Sequence, residues 1–144
     1  MRWKMFITMG AGLWAVLVTQ LLSAGTLEIT LDNVASDDGQ ILVQVLRGEA
    51  EFKGETPATM SIMQRASAGT MRFQANGLPP GEYAVRVMHD KNENGELDSN
   101  LVGMPREPWA MSNNARGNFG PPKWADVKFE VDDGTAQQTM QLNR

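Results

Sequence analysis

The stretch Leu78–Asp90, "LPPGEYAVRVMHD", decides the fold class. Two prolines and a glycine interrupt whatever precedes it. Tyr83, Val85 and Val87 then fall on one side of an extended chain, while Glu82 and Arg86 fall on the other. Period-two alternation rich in β-branched and aromatic residues is the signature of a half-buried strand. His89, the single histidine, continues the apolar side, so a partly buried position at the edge of the core is expected for it.

The same rhythm extends in both directions. "TLEITLDNV" sets Leu27, Ile29 and Leu31 against Glu28 and Thr30, and "ILVQVLRG" is apolar enough for a sandwich interior. "ATMSIMQRA" and "GTMRFQANG" are short and bounded by Gly, Pro or Asn. Near the end, "WADVKFEV" and "TAQQTMQLN" flank "DDG", which predicts a hairpin in which Trp124 begins a strand and packs in the core. About seven short strands with turn signals between them imply an all-β chain, a single antiparallel β-sandwich. Helix is expected only as a short piece around "GEAEFKGE", limited by Gly48 and Gly54. Met60, Met63 and Met140 read as core filler, with no Met/His cluster to suit copper.

The chain has 144 residues, enough for one domain with a real core. Its start is of another kind. "MRWK" carries two positive charges, Met5–Leu22 is almost wholly apolar, and "LLSAG" ends the run with small residues. This predicts a secretory signal peptide over Met1–Ala24, cleaved after Ala24 or Gly25, and a domain over 25–144 in the periplasm or outside the cell. The alternative is an uncleaved anchor, because the apolar run is about long enough to span a bilayer, and it is the one membrane contact the sequence suggests.

Of the 13 basic residues, Arg2 and Lys4 leave with that segment; 11 against 17 acidic residues gives the domain a net charge of −6. Nucleic acid is a poor partner for such a surface, since phosphate contacts need clustered Lys and Arg. There is no cysteine. Disulfides and a lipoprotein anchor are therefore excluded, and the apolar core must hold the domain together.

Chemistry concentrates after the deciding strand. In "HDKNENGELDSN", His89–Asn100, Asp90, Asn92 and Asn94 occupy positions one, three and five of an EF-hand-type loop. Gly95 at six permits a sharp turn, the Glu96 carbonyl falls at seven and Asp98 at nine. Alternate residues of a tight coil aim their oxygens at one centre, which is the reason for that spacing. Position twelve is Leu101 where the pattern has Glu, so a weak calcium site is expected, with Kd on the order of 10⁻⁴ to 10⁻³ M. Hard oxygen ligands favour calcium over zinc. A second reading is a polar turn in which Asn and Asp bond their own backbone. From Asp90 to Pro122 no convincing strand is visible, yet Trp109, Phe119 and four prolines argue against simple disorder.

Longer stretches carry a resemblance. "GEYAVRVMHDKNENGELD", "GMPREPWAMSNNARGNFGPP" and the final strand resemble the bacterial exported family catalogued as domain of unknown function 2141, over about Thr26 to Leu142. "GLPPGEYAVRV" is also similar to strands of transthyretin-like and carboxypeptidase-regulatory sandwiches. The resemblance implies a transthyretin- or immunoglobulin-like sandwich, with the Asp90 loop and "SNNARGNFGPP" as the family's shared features. It implies no activity. Before "SNN" this chain departs from the family by carrying Trp109-Ala110-Met111, which is expected to alter a pocket or contact surface.

These readings converge on a non-catalytic exported binding module. Calcium would order the long loop, and Trp109, Ser112, Asn113, Asn114, Arg116 and Phe119 would form the contact surface for a cell-envelope protein or a glycan. The alternative from another class is a periplasmic hydrolase using His89 and Asp90. No nucleophile-elbow motif surrounds Ser112 or Ser99 to support it.

Overall fold

The computed structural model describes residues 23–143 as two β-sheets packed face to face. Met1–Leu22 of the expected leader, and Arg144, lie outside the described residues. The elements are β1 (Gly25–Val34), β2 (Gln40–Arg47), α1 (Gly48–Phe52), β3 (Met60–Arg65), β4 (Gly69–Leu78), β5 (Gly81–Asp90), β6 (Trp109–Met111), α2 (Trp124–Val127), β7 (Phe129–Val131) and β8 (Thr135–Gln141). One sheet has the order β4-β1-β8; the other has β3-β2-β5-β6, with β7 also paired to β5.

The alternation does what the sequence predicts. Leu27, Ile29 and Leu31 of β1 and Met71, Phe73 and Ala75 of β4 face Ile41, Val43 and Val45 of β2 and Tyr83, Val85 and Val87 of β5, all buried. Each large apolar side chain taken from water contributes about 1.5–3 kcal/mol, the source of stability in a chain without cross-links. A smaller cluster lies on the outer side of the second sheet. There Leu46, Ala84 and Val127 are covered by Phe52 of α1 and Trp124 of α2, whose rings stand 5.8 Å apart.

Four features differ from expectation, the first being Met63, which stands 65% exposed on the edge strand β3 and does not fill the core, because it falls on the outward side of the alternation. "DDG" is not a hairpin: β7 pairs with β5, whereas β8 crosses to the other sheet and runs parallel to β1. Alternation reports which side of a strand is buried, not which strand lies beside it. A Cβ at Gly25 would run into the Asp132 carbonyl oxygen at this crossing, so β1 starts at a residue with no side chain. "WADV" is one helical turn, and Trp124 opens it rather than a strand. The Asp126 carboxylate accepts the Lys123 N–H at 3.1 Å and turns the chain there. Finally, the long segment contains β6, three residues paired to β5 and too short to show a period.

Candidate functional site

β5 delivers Asp90 to the start of the long loop, and the turn before β2 fixes that point. Gly39, at φ +69°, lies so close that a Cβ there would strike the Asp90 carbonyl. His89, expected at the core edge, is fully buried. Its Nε2 donates to the Asp38 carbonyl at 2.6 Å and its backbone N–H to Pro108 at 2.8 Å. The ring therefore ties β5 to the Gly39 turn.

Asp90 is also fully buried, and its carboxylate is a hub for N–H donors. Oδ1 accepts from the Asn94 backbone at 3.1 Å; Oδ2 accepts from the Gly95 backbone at 2.8 Å and from Gln40 Nε2 at 3.0 Å. Burial pushes the carboxyl up. The hydrogen bonds from Gln40 and from the backbone of Gly95, Asn94 and Glu93 outweigh it and hold the group below its ordinary value.

The Asn92 and Asn94 side chains meet at Asp98, not at Asp90. Asn92 Nδ2 donates to one Asp98 oxygen at 2.5 Å and Asn94 Nδ2 to the other at 2.7 Å. The Asn92 and Asn94 side-chain oxygens accept backbone N–H groups from Asn94 and Glu96. Among the described residues no three His, Cys, Asp or Glu side chains gather where a metal would sit. The donor set fits a cation in one way. Turning both Asn amides over would offer it two amide oxygens beside the Asp98 carboxylate, at the cost of the two backbone N–H bonds that those oxygens now accept. Asp90, with its oxygens engaged by three N–H donors, would stand behind that point as a support.

Glu107 was not legible as a site residue. Nearly buried between two prolines, it accepts the Lys91 N–H at 3.0 Å on one oxygen and the Asp98 N–H at 3.2 Å on the other. It clamps both ends of the Asp90 loop, and only an acid flanked by rigid prolines in "PREPW" hints at this.

Beyond Asp98 the chain forms a small arm. Arg106 N–H donates to the Asp98 carbonyl at 2.7 Å and Asn100 N–H to the Met104 carbonyl at 2.8 Å. Asn100 Oδ1 accepts the N–H groups of Val102 and Met104, both at 3.0 Å. The tip of this arm is apolar and bare: Leu101 and Val102 are exposed, as is Met104 at its base. Across from it Phe119, at φ +59°, is wholly exposed. Val102, Met104, Trp109, Arg116, Phe119 and Leu142 line a cleft of about 890 Å³ between them.

The predicted surface run divides. Trp109, Arg116 and Phe119 reach the cleft; Ser112, Asn113 and Asn114 do not line it. Ser112 is not on the surface at all. It is buried, with Oγ accepting the Val85 N–H at 3.0 Å and donating to the Val127 carbonyl at 2.5 Å. Asn113 Nδ2 donates to the Asp126 and Lys128 carbonyls, and its own N–H donates to Gln138. Asn114 donates to the Thr139 carbonyl at 3.1 Å and accepts the Gln141 N–H at 2.9 Å. A side-chain amide here imitates the backbone of a neighbouring strand and closes the edge of β8. These side chains latch the two sheets together, because short polar groups beside strand ends satisfy backbone groups that water would otherwise take.

The family described as an uncharacterized protein conserved in bacteria, DUF2141, matches residues 29–139. No curated protein and no solved structure matches.

Proposed function

Because the chain belongs to the domain of unknown function 2141 family, a name that assigns no activity, we propose a role from the site alone: an exported, non-catalytic binding module whose contact surface is the arm and cleft between Leu97 and Pro121. One observation carries this. Of the six large hydrophobic side chains exposed among the described residues, five, Leu97, Leu101, Val102, Met104 and Phe119, lie in this segment. Exposed apolar groups gathered at one end of a domain mark an interaction site. They favour a protein of the cell envelope over a glycan, since bare Leu, Val and Met offer a sugar no hydrogen bonds. His89, enclosed and with Nε2 held by the Asp38 carbonyl, supports a non-catalytic reading over a hydrolase, since no substrate can reach the ring.

Calcium enters as a weak modifier. Asp90 and Glu107 already hold the loop ends through backbone N–H groups, so a cation at Asp98, Asn92 and Asn94 would add order to a loop that is closed without it.

A photo-crosslinking residue placed at Leu101 or Phe119 in the native host tests the proposal, with Gln74 on the polar outer face of β4 as control. A discrete protein adduct at the first two positions and none at Gln74 is expected. Equal labelling at all three positions would remove the arm as a contact surface.

A further inference from the structure

The two outer faces of the sandwich differ. On the β4-β1-β8 sheet successive rungs are polar: Arg72, Thr30 and Thr139 lie in register, as do Gln74, Glu28 and Gln137. On the other sheet one rung is apolar from edge to edge. Met63 lies opposite Leu42, Leu42 opposite Met88, and Met88 opposite Trp109. These side chains point outward, because their neighbours Ile62, Val43, Val87 and Ala110 pack on the core. Leu42, Met88 and Trp109 are half-buried, and Met63, on the edge strand, is 65% exposed. Beside the rung is a groove of about 310 Å³ that Gly95 of the Asp90 loop helps to line.

The sheet edges differ as well. Asn114 closes β8, and the β1–β4 pairing shifts register twice, which bends that edge. Among the described residues nothing covers β3, and its one charge, Arg65, sits at the end of the strand. Its six residues, "MSIMQR", pair with β2 without a shift and contain neither proline nor lysine. An uncovered edge with an unbroken register offers its free N–H and C=O groups to another strand.

We propose that this edge pairs with the same edge of a second copy, the two β3 strands running antiparallel about Met63. Residues opposed in an antiparallel pair share a face. Met63 therefore meets Met63 of the other copy, Ile62 meets Gln64, and Ser61 meets Arg65. No like charges are opposed, and the apolar rung continues unbroken from Trp109 of one copy to Trp109 of the other. The strand is its own complement, and this selects a second copy over a foreign strand as the occupant. Edge pairing of two short strands buries less than the roughly 1,200 Å² of a standard interface, so the dimer is a weak one, filled at high local concentration.

The chain has no cysteine, so one introduced thiol reports the contact without background. Met63→Cys places two thiols across the axis with Cβ atoms about 4.5–5.5 Å apart, near disulfide reach. Under mild oxidation it should form a covalent dimer at least about tenfold faster than Gln74→Cys, an exposed strand position on the polar face. Sedimentation of the unaltered chain should show mass rising with concentration, and Met63→Lys should stay monomeric with an unchanged melting curve, since this side chain is mostly in solvent. Equal crosslinking rates for the two thiols would overturn the pairing. So would a chain that stays monomeric up to about 1 mM, or a Met63→Lys variant that dimerises as before; a monomer that instead takes up extended peptides on β3 would assign the edge to a foreign strand.

Discussion

The Asp90 carboxylate accepts the Gly95 N–H at 2.8 Å, so the last residue of β5 closes the loop that follows it. Asn94 and Gln40 converge on the same group. Asp90→Ala leaves these donors facing a gap in a buried place. Such groups cost about 1–3 kcal/mol each when orphaned, and water entering the gap recovers part of this. A loss of about 2–4 kcal/mol in urea unfolding is expected. A loss below about 0.5 kcal/mol would show that the hub does not hold the loop.

The same group sets a pH dependence. Its folded pKa is depressed, so its contribution is complete above the unfolded value of about 3.9 and is lost as pH falls through the folded value. Stability from this source should be flat from about pH 7 to pH 5 and then decline. Asp90→Asn, which cannot titrate, should show a smaller drop in urea midpoint between about pH 5 and pH 3 than the unaltered chain. Parallel curves would place the acid sensitivity in other carboxylates.

Glu107→Gln tests the clamp. An amide keeps one acceptor oxygen and turns an NH₂ toward the second N–H, so Lys91 or Asp98 loses its partner. Amide hydrogen exchange at one of these positions should quicken by about tenfold or more, while global stability falls less than in Asp90→Ala.

Ser112→Ala should cost about 1–3 kcal/mol, because the Val85 N–H and Val127 carbonyl are both buried with that hydroxyl between them. A surface serine would cost almost nothing. Comparing denaturation midpoints with Asn118→Ala, an exposed residue nearby, separates the two cases.

How far the sequence foretold this depends on the range of each interaction. β1, β2 and β5 were legible because eight or more residues alternate against one core. β6 is too short for that, and the β8 crossing depends on a partner more than a hundred residues away. The Asp90 loop was visible through its oxygen spacing. That spacing serves backbone donors as well as it serves a cation, and only coordinates reveal that Asp90 faces Gly95 and Asn94. The "SNN" run looked like a surface because its residues are polar; apart from the Gln138 side chain its partners are backbone groups, which leave no trace in residue identity.

Calcium should raise stability by about 1.4 kcal/mol at tenfold excess over Kd. Asp98→Asn should abolish the increment and Leu101→Ala should retain it, since Leu101 brings no side-chain oxygen. Melts of chelator-stripped protein that superimpose with and without calcium would reduce "HDKNENGELDSN" to a turn that holds itself.

The place of β1 between β4 and β8 governs the order of folding. Thr26 lies beside Thr135, so the middle strand of its sheet gains its second neighbour only when the end of the chain arrives. A chain emerging from its N-terminus can pair β1 with β4, but it leaves the other edge of β1 open until Gln141 is free. Stopping synthesis at Asp133 would thus yield a sandwich missing one edge strand, its place open to a stray strand. The slowest refolding phase should accordingly follow substitutions in β8 more closely than those in β2 or β3.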